Sequence, residues 1–265
     1  MNPDISAYSA FDRTEILMYL FYPRKQQGPA GHGQGYVELA VPVAPGISIG
    51  GRLYLAGNDA PNLLFFHGNG EIVDDYDDIG IMYSRNGINF WPFDYRGYGI
   101  SGGAPTVSAM MSDCHSIFER VIEIIRKEKM TGPLAVMGRS LGSASAIELA
   151  SSYQDRVSGL VVESGFARAV PLLRLLGIDV DGMGLAGNTG FDNIDKITKY
   201  NKPTLIIHGE YDQIIPYGEA ELLYGSSASP VKKLIKIEGA DHNTIFMVGL
   251  DLYMRSIGSF FKELR

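Results

Sequence analysis

Six short runs of apolar residues recur along the chain, most of them separated by helix-length segments. They are "NLLFFHG" (62–68), "INFWPFD" (88–94), "PLAVMG" (133–138), "GLVVES" (159–164), "PTLIIHG" (203–209) and "KKLIKIEG" (232–239). A strand that is apolar along its whole length is buried on both faces. Such strands, alternating with helices, form a largely parallel sheet covered on both sides. Residues 108–129 place Met110, Cys114, Ile117, Val121 and Ile125 on one helical stripe, and residues 242–263 do so with Ile245, Val248, Leu252, Ile257 and Phe260. Earlier, "YVELAVPV" and "ISIGGRLYL" flank the turn signal Pro45-Gly46 and predict a hairpin. The expected class is α/β: a mostly parallel central sheet with an antiparallel N-terminal edge and helices on both faces, as a single domain over residues 1–265.

Two segments depart from this rhythm. "GPAGHGQG" (28–35) is glycine-rich and reads as a flexible connection after a short N-terminal element. Residues 165–200 are longer than an ordinary connection between a strand and the next element. They carry a leucine-rich helix pattern (Leu172, Leu173, Leu175, Leu176) followed by a glycine-rich stretch. An insertion here sits over the carboxyl ends of the strands, where open α/β sheets bind ligands, so it is expected to form a small cap. Its leucines, with Met183, Leu185 and Phe191, are the expected apolar roof of a modest pocket.

Composition excludes several function classes. A net charge of −7 disfavours nucleic acid and anionic membrane surfaces, both of which attract basic proteins. The single cysteine, Cys114, leaves no internal disulfide and no cysteine-based metal cluster, and it fits a reducing compartment. Because Cys114 falls on a helical stripe, its expected role is that of a small core residue. No stretch has the apolar length of a membrane span. The patch Ile16 to Tyr22 lacks the basic start and the cleavage site of a signal peptide, so the cytoplasm is the expected location. Neither HExxH nor a glycine-rich phosphate loop with lysine occurs; no metal and no other cofactor is expected.

The sharpest motif follows the strand "PLAVMG". Gly138-Arg139-Ser140-Leu141-Gly142 is a G-x-S-x-G sequence between a strand and a helix rich in small residues, the setting of a nucleophile elbow. A serine nucleophile needs a histidine base, an acid to orient it, and donors for the oxyanion. Of the five histidines, His32 lies in the glycine-rich loop and His115 on a helix away from any strand end. His67 and His208 end buried strands, where packing and loop shaping are their expected roles. His242, in "KIEGADHNTIF", lies between the last strand and the last helix and can reach back over the strand ends. Asp212, in "LIIHGEYDQIIP", stands between Ser140 and His242, the order that accompanies such an elbow. Glu163, at the end of "GLVVES", is a competing acid, whereas Asp241 would have to fold back onto its own neighbour. The expected oxyanion donors are the backbone amides of Leu141, at a helix start, and Asn69, in "HGNGE".

With "FFHGNGE", "DYRGYGISGGAP", "GRSLGSA", "PTLIIHGEYDQIIP" and "GADHN" in register, the sequence resembles the α/β-hydrolase superfamily over nearly its whole length. It is most similar to the serine-hydrolase branch that includes depalmitoylase-like and many uncharacterised bacterial members. The resemblance implies Ser140 as nucleophile, Asp212 as acid, His242 as base and the Asn69 and Leu141 amides as oxyanion donors. In "DYRGYG", Asp94, Arg96 and Gly97 are expected to fix a loop and to take no part in chemistry. One departure is that the N-terminus lacks the cysteines that anchor eukaryotic depalmitoylases to membranes.

The leading expectation is a hydrolase of small-molecule acyl esters or thioesters acting through an acyl-enzyme, with its oligomeric state open. A peptidase of the prolyl-oligopeptidase type shares the order of the three residues but usually carries a large extra domain. A binding protein that kept the fold and lost activity is the non-enzymatic alternative.

Overall fold

The computed structural model describes residues 5–27, 35–185 and 190–264. His32 and most of the glycine-rich loop at 28–35 therefore lie outside the described residues. A 3₁₀ segment, Ile5–Phe11, leads to α1 (Thr14–Leu20), β1 (Val37–Ala44) and β2 (Ile47–Leu53). Next come β3 (Asn62–Phe66), α2 (Asp77–Arg85), β4 (Asn89–Phe93), α3 (Val107–Lys127) and β5 (Leu134–Arg139). They are followed by α4 (Ser143–Ser152), β6 (Gly159–Glu163), α5 (Ala169–Leu175) and α6 (Asn193–Ile197). The chain finishes with β7 (Thr204–Gly209), α7 (Tyr217–Ser226), β8 (Lys232–Ile237) and α8 (Ile245–Glu263).

All eight strands join one sheet in the order β1-β2-β4-β3-β5-β6-β7-β8. The β1–β2 hairpin turns through Gly46 at φ +70°, and β2 runs antiparallel to β4; every later pairing is parallel. This is the expected sheet, with its antiparallel edge at the N-terminal hairpin. The strand order reverses at β3, which lies between β4 and β5, so the loops after β3 and β5 open side by side. Ligands bind at such a switch point.

Successive side chains of a strand point to opposite faces, and the buried strands here load both. Leu64, Phe66, Val136, Leu160, Val162 and Ile206 join one apolar cluster, covered by α1 and by α3 to α7. Leu63, Phe65, Met137, Val161, Leu205 and Ile207 join the other, with Tyr83 of α2 and Tyr253, Ile257 and Phe260 of α8. α3 buries the stripe read from the sequence from Met110 to Val121, Cys114 included, and leaves Ile125 half-buried. Its start is capped by Thr106, whose Oγ1 accepts the Ala109 N–H at 3.0 Å.

α8 departs from its expected stripe. Val248 and Leu252 are 50% and 40% exposed, and the buried face runs through Tyr253 and Phe261. Ile245, Tyr253 and Ile257 are spaced by multiples of four, so the buried face is rotated away from Val248 and Leu252, and the backbone leaves helical geometry at Gly249 (φ −125°, ψ 22°). A side chain at Gly249 would overlap Ile237, so the glycine lets α8 lie close against β8. Among the described residues no helix is long and apolar enough to cross a membrane.

Candidate active site

The turn after β5 is tight enough to dictate its own residues. A Cβ on Gly138 would overlap the Gly142 carbonyl, and one on Gly142 would overlap the carbonyl of Phe66 in β3. Glycine at both positions lets the turn fold back on itself and lets α4 start against the sheet. Between them Ser140 sits at φ +52°, a conformation that costs a non-glycine residue about 1–3 kcal/mol. Its backbone is held by the Ser143 hydroxyl, which donates to the Ser140 carbonyl at 2.6 Å.

His242 comes from the loop between β8 and α8, and Asp212 from the turn between β7 and α7. The Nε2 of His242 is 3.0 Å from Ser140 Oγ, and its Nδ1 is 2.6 Å from Asp212 Oδ2. All three residues are buried. Asp212 is fixed independently of His242, since its Oδ1 accepts the N–H groups of Ile214 (3.0 Å) and Ile215 (2.7 Å). His208, at the end of β7, places Nε2 at 3.2 Å from Asp212 Oδ2 and at 2.8 Å from the Ile215 carbonyl. Burial works to raise the Asp212 carboxyl, but hydrogen bonds from His208 and His242 and the His242 charge outweigh it. The group is held well below the usual carboxylate range. His208, read from the sequence as a packing residue, is thus a direct neighbour of this acid. Its place four residues before Asp212 was the available signal.

Glu163 is directed elsewhere. Its carboxylate accepts from Arg139 Nε at 3.1 Å and from the Tyr253 hydroxyl at 2.7 Å, and burial pushes its pKa up. Asp241 turns toward the start of α8, where Oδ1 accepts the Asn243 N–H (2.9 Å) and the Thr244 hydroxyl (2.8 Å). His115 lies away from the site, with Nδ1 2.8 Å from the Tyr153 hydroxyl. His67 packs edge-on against Tyr95, whose hydroxyl donates to the His67 carbonyl at 2.6 Å. In the loop after β4, Asp94 Oδ1 accepts the Val73 N–H (3.0 Å), and Arg96 binds Asp113 through two 2.7 Å bonds.

Asn69 and Leu141 line one cavity with Ser140. The side chain of Asn69 is already committed: Oδ1 accepts the Tyr22 N–H (2.6 Å) and the Tyr98 hydroxyl (2.8 Å), and Nδ2 donates to the Tyr19 carbonyl (3.3 Å). These bonds strap the segment after α1 across the loop that follows β3, and Tyr19 and Leu20 become part of the cavity wall. Sequence reading missed this contribution, because nothing in the periodicity of residues 14–22 points to a partner 47 positions away.

The cavity measures about 90 Å³. Leu172, Leu173, Leu176 and Phe191 of the cap line it, as expected, together with Phe166 and Ile214. Met183 and Leu185, also expected in the roof, do not line it: Leu185 is buried in the core and Met183, half-buried, packs against it. Leu175 points outward at 55% exposure. The reason is local, since a short helix such as α5 can turn only one face to the cavity.

A family model described as serine aminopeptidase, S33, matches residues 58–178. Protein bem46 of Schizosaccharomyces pombe is 31% identical over 210 residues, covering 77% of this chain and 68% of that protein. Human alpha/beta hydrolase domain-containing protein 17B is 32% identical over 195 residues, 71% of this chain and 62% of its own length. Among solved structures, the Pyrococcus furiosus esterase Pf2001 superposes with a TM-score of 0.73 at 17% identity, over 91% of this chain and 98% of the esterase. A soluble variant of the Saccharomyces cerevisiae monoglyceride lipase gives 0.68 at 18% identity, over 92% and 98% of the two chains. By its sequence relatives, and with a sheet and helix arrangement to match, the chain belongs to the α/β-hydrolase superfamily of serine hydrolases.

Proposed function

We propose that this chain hydrolyses carboxylic esters or thioesters of short acyl groups through an acyl-enzyme on Ser140. The observation that carries the reading is the unbroken relay from Ser140 Oγ to His242 Nε2 at 3.0 Å and from His242 Nδ1 to Asp212 at 2.6 Å. His242 accepts the serine proton as Oγ attacks the acyl carbon, then returns it to the departing alcohol or thiol. A water, deprotonated by the same nitrogen, releases the acid. Asp212 holds the Nδ1–H tautomer and stabilises the imidazolium. The Leu141 and Asn69 amides receive the oxyanion, each donor contributing on the order of 3 kcal/mol of transition-state stabilisation.

Cavity size and chemistry support the acyl class. A water-sized group needs on the order of 10–15 Å³, so about 90 Å³ of space between apolar walls takes a short chain. The family model's description raises an aminopeptidase reading, which would need an acid to hold the substrate's free amine. Among the described residues no aspartate or glutamate lines the cavity, and its walls are almost entirely apolar. That favours the ester and thioester reading. Fluorophosphonate labelling tests it: the wild type is expected to be modified at Ser140, and Ser140→Ala to lose both labelling and hydrolysis. Labelling that survives the substitution overturns the assignment.

A further inference from the structure

Arg139 fills the variable position of the turn Gly138-Arg139-Ser140-Leu141-Gly142, where the backbone geometry of the elbow asks for no cation. Its side chain is nevertheless buried, and all three of its nitrogens are engaged. Nε donates to Glu163 Oε1 at 3.1 Å, at the end of β6. Nη1 is ion-paired with Glu71 in the loop after β3. Nη2 donates to the carbonyl of His242 at 2.7 Å and to Asn243 Oδ1 at 3.2 Å, in the loop after β8. Segments that follow three different strands therefore meet on the residue next to Ser140.

Each partner holds part of the site in its turn. Glu71 Oε2 accepts the Gly68 N–H at 2.7 Å and the Tyr76 hydroxyl at 2.6 Å, which braces the turn that carries the Asn69 amide. The glycine at position 68 leaves room for the guanidinium beside that turn, since a Cβ there would come within 2.8 Å of Arg139 Nη1. The bond to the His242 carbonyl restrains the residue whose ring lies between Ser140 and Asp212. Glu163 Oε2 accepts the Tyr253 hydroxyl at 2.7 Å, which extends the network to α8. Arg139 does not line the cavity, so it makes no contact with substrate there.

We infer that Arg139 is a positioning residue that keeps the Gly68–Glu71 loop and the His242 loop in register with Ser140. The inference rests on the serine-hydrolase reading above. A planar fork with five donors serves partners on three sides at once, which the single ammonium of lysine cannot do. A misplacement of about 1 Å in a catalytic constellation lowers turnover by roughly 100-fold without altering ground-state contacts. A role confined to stability would change melting temperature and leave kcat alone.

The test is steady-state hydrolysis of a short p-nitrophenyl ester by the full-length chain, with thermal melting in parallel. Arg139→Lys, which keeps the buried charge, is expected to lower kcat by roughly 10- to 100-fold with KM changed less than about twofold. Glu71→Gln, which keeps the side-chain shape, is expected to lower kcat in the same manner. Combining the two is expected to cost less than the product of the two single losses, because both changes remove the shared Arg139–Glu71 ion pair. Folded Arg139→Lys with wild-type kcat overturns the inference, as does a loss confined to melting temperature or a double variant whose losses multiply. Should Arg139→Lys not fold, Glu71→Gln decides by itself, and unchanged kcat there overturns the inference. A wild type without Ser140-dependent turnover removes the serine-hydrolase reading and this inference together. An active wild type with unaffected variants removes this inference only.

Discussion

Asp212 is a carboxylate with donors on both oxygens: two backbone amides on Oδ1, and His242 with His208 on Oδ2. An asparagine there would keep the shape but offer the imidazole an amide in place of a charge, and favour the wrong tautomer. Asp212→Asn is accordingly expected to lower kcat by on the order of 10⁴ while the protein stays folded. Glu163→Gln touches His242 only through Arg139 and is expected to cost far less. Both variants in one assay of p-nitrophenyl ester hydrolysis check this, and the reverse ranking would give the acid's role to Glu163. Motif and chain order pointed to Ser140 and His242 and left Asp212 and Glu163 as competing acids. The roles of His208 and Arg139 were not legible, because they come from bonds to other segments and their sequence surroundings look like ordinary strand ends.

The cap and α1 close the cavity from two sides, and their side chains set its length. α5 contributes Leu172 and Leu173, and Phe191 stands before α6. Each methylene that fits against such a wall gains at most about 0.8 kcal/mol, and one that meets the wall gains nothing. For p-nitrophenyl esters, kcat/KM is therefore expected to rise from acetate to a short or medium chain and then fall. Phe191→Ala is expected to move that optimum to a longer chain, whereas Leu175→Ala, on an outward-facing side chain, should leave it in place. A monotonic rise through palmitate in the wild type would mean that the cavity opens into a long channel. That helices occur here was legible from leucine spacing. Which leucines face the cavity was not, since the orientation of α5 is set by what it packs on.

Glu148 of α4, which does not line the cavity, joins segments distant in the chain. Its Oε2 accepts the Tyr8 hydroxyl at 3.1 Å and is paired with Lys196 at 2.8 Å, while Oε1 accepts the Ser152 hydroxyl at 2.9 Å. Lys196 also donates to the Phe191 carbonyl at 2.5 Å, so this cluster ties the N-terminal segment and the cap to one helix. Removing the acid strands a largely buried lysine. Glu148→Ala is expected to lower unfolding stability by about 3–5 kcal/mol, read from urea denaturation. Acid should erode the same contacts. Burial works to raise Glu148 and Asp212, yet hydrogen bonds and opposite charges hold both below the usual carboxylate range. Glu71 is lowered too, with the Arg139 charge outweighing its burial. Groups depressed in this way bind fewer protons folded than unfolded. Their contribution is complete above the unfolded value of roughly 4 and is lost as pH falls through the folded one. Glu163, raised by burial, acts in the opposite direction at higher pH. The urea midpoint is expected to hold steady from neutral pH to about 5 and to fall below about 4. In Glu148→Gln that acid-induced fall should be smaller. A wild-type midpoint that climbs below pH 4 would contradict this account.

The sheet, its antiparallel edge, the elbow and the order in which Ser140, Asp212 and His242 occur can all be read from the chain. Those features are written locally, in apolar periodicity, in glycines whose Cβ would overlap a neighbouring carbonyl, and in residues that sit at strand ends. The tertiary structure alone decided that Asp212 and not Glu163 meets the His242 ring, and that Asn69 is strapped to Tyr19 and Tyr22. It alone gathered Glu71, Glu163 and the His242 loop around Arg139. It also turned Val248 and Leu252 of α8 to solvent and Tyr253 inward. Each of these depends on where a side chain from one segment meets a group from another, up to 104 residues apart in the Arg139 network. Periodicity reports which face of an element is buried, but it carries no information about which partner waits there.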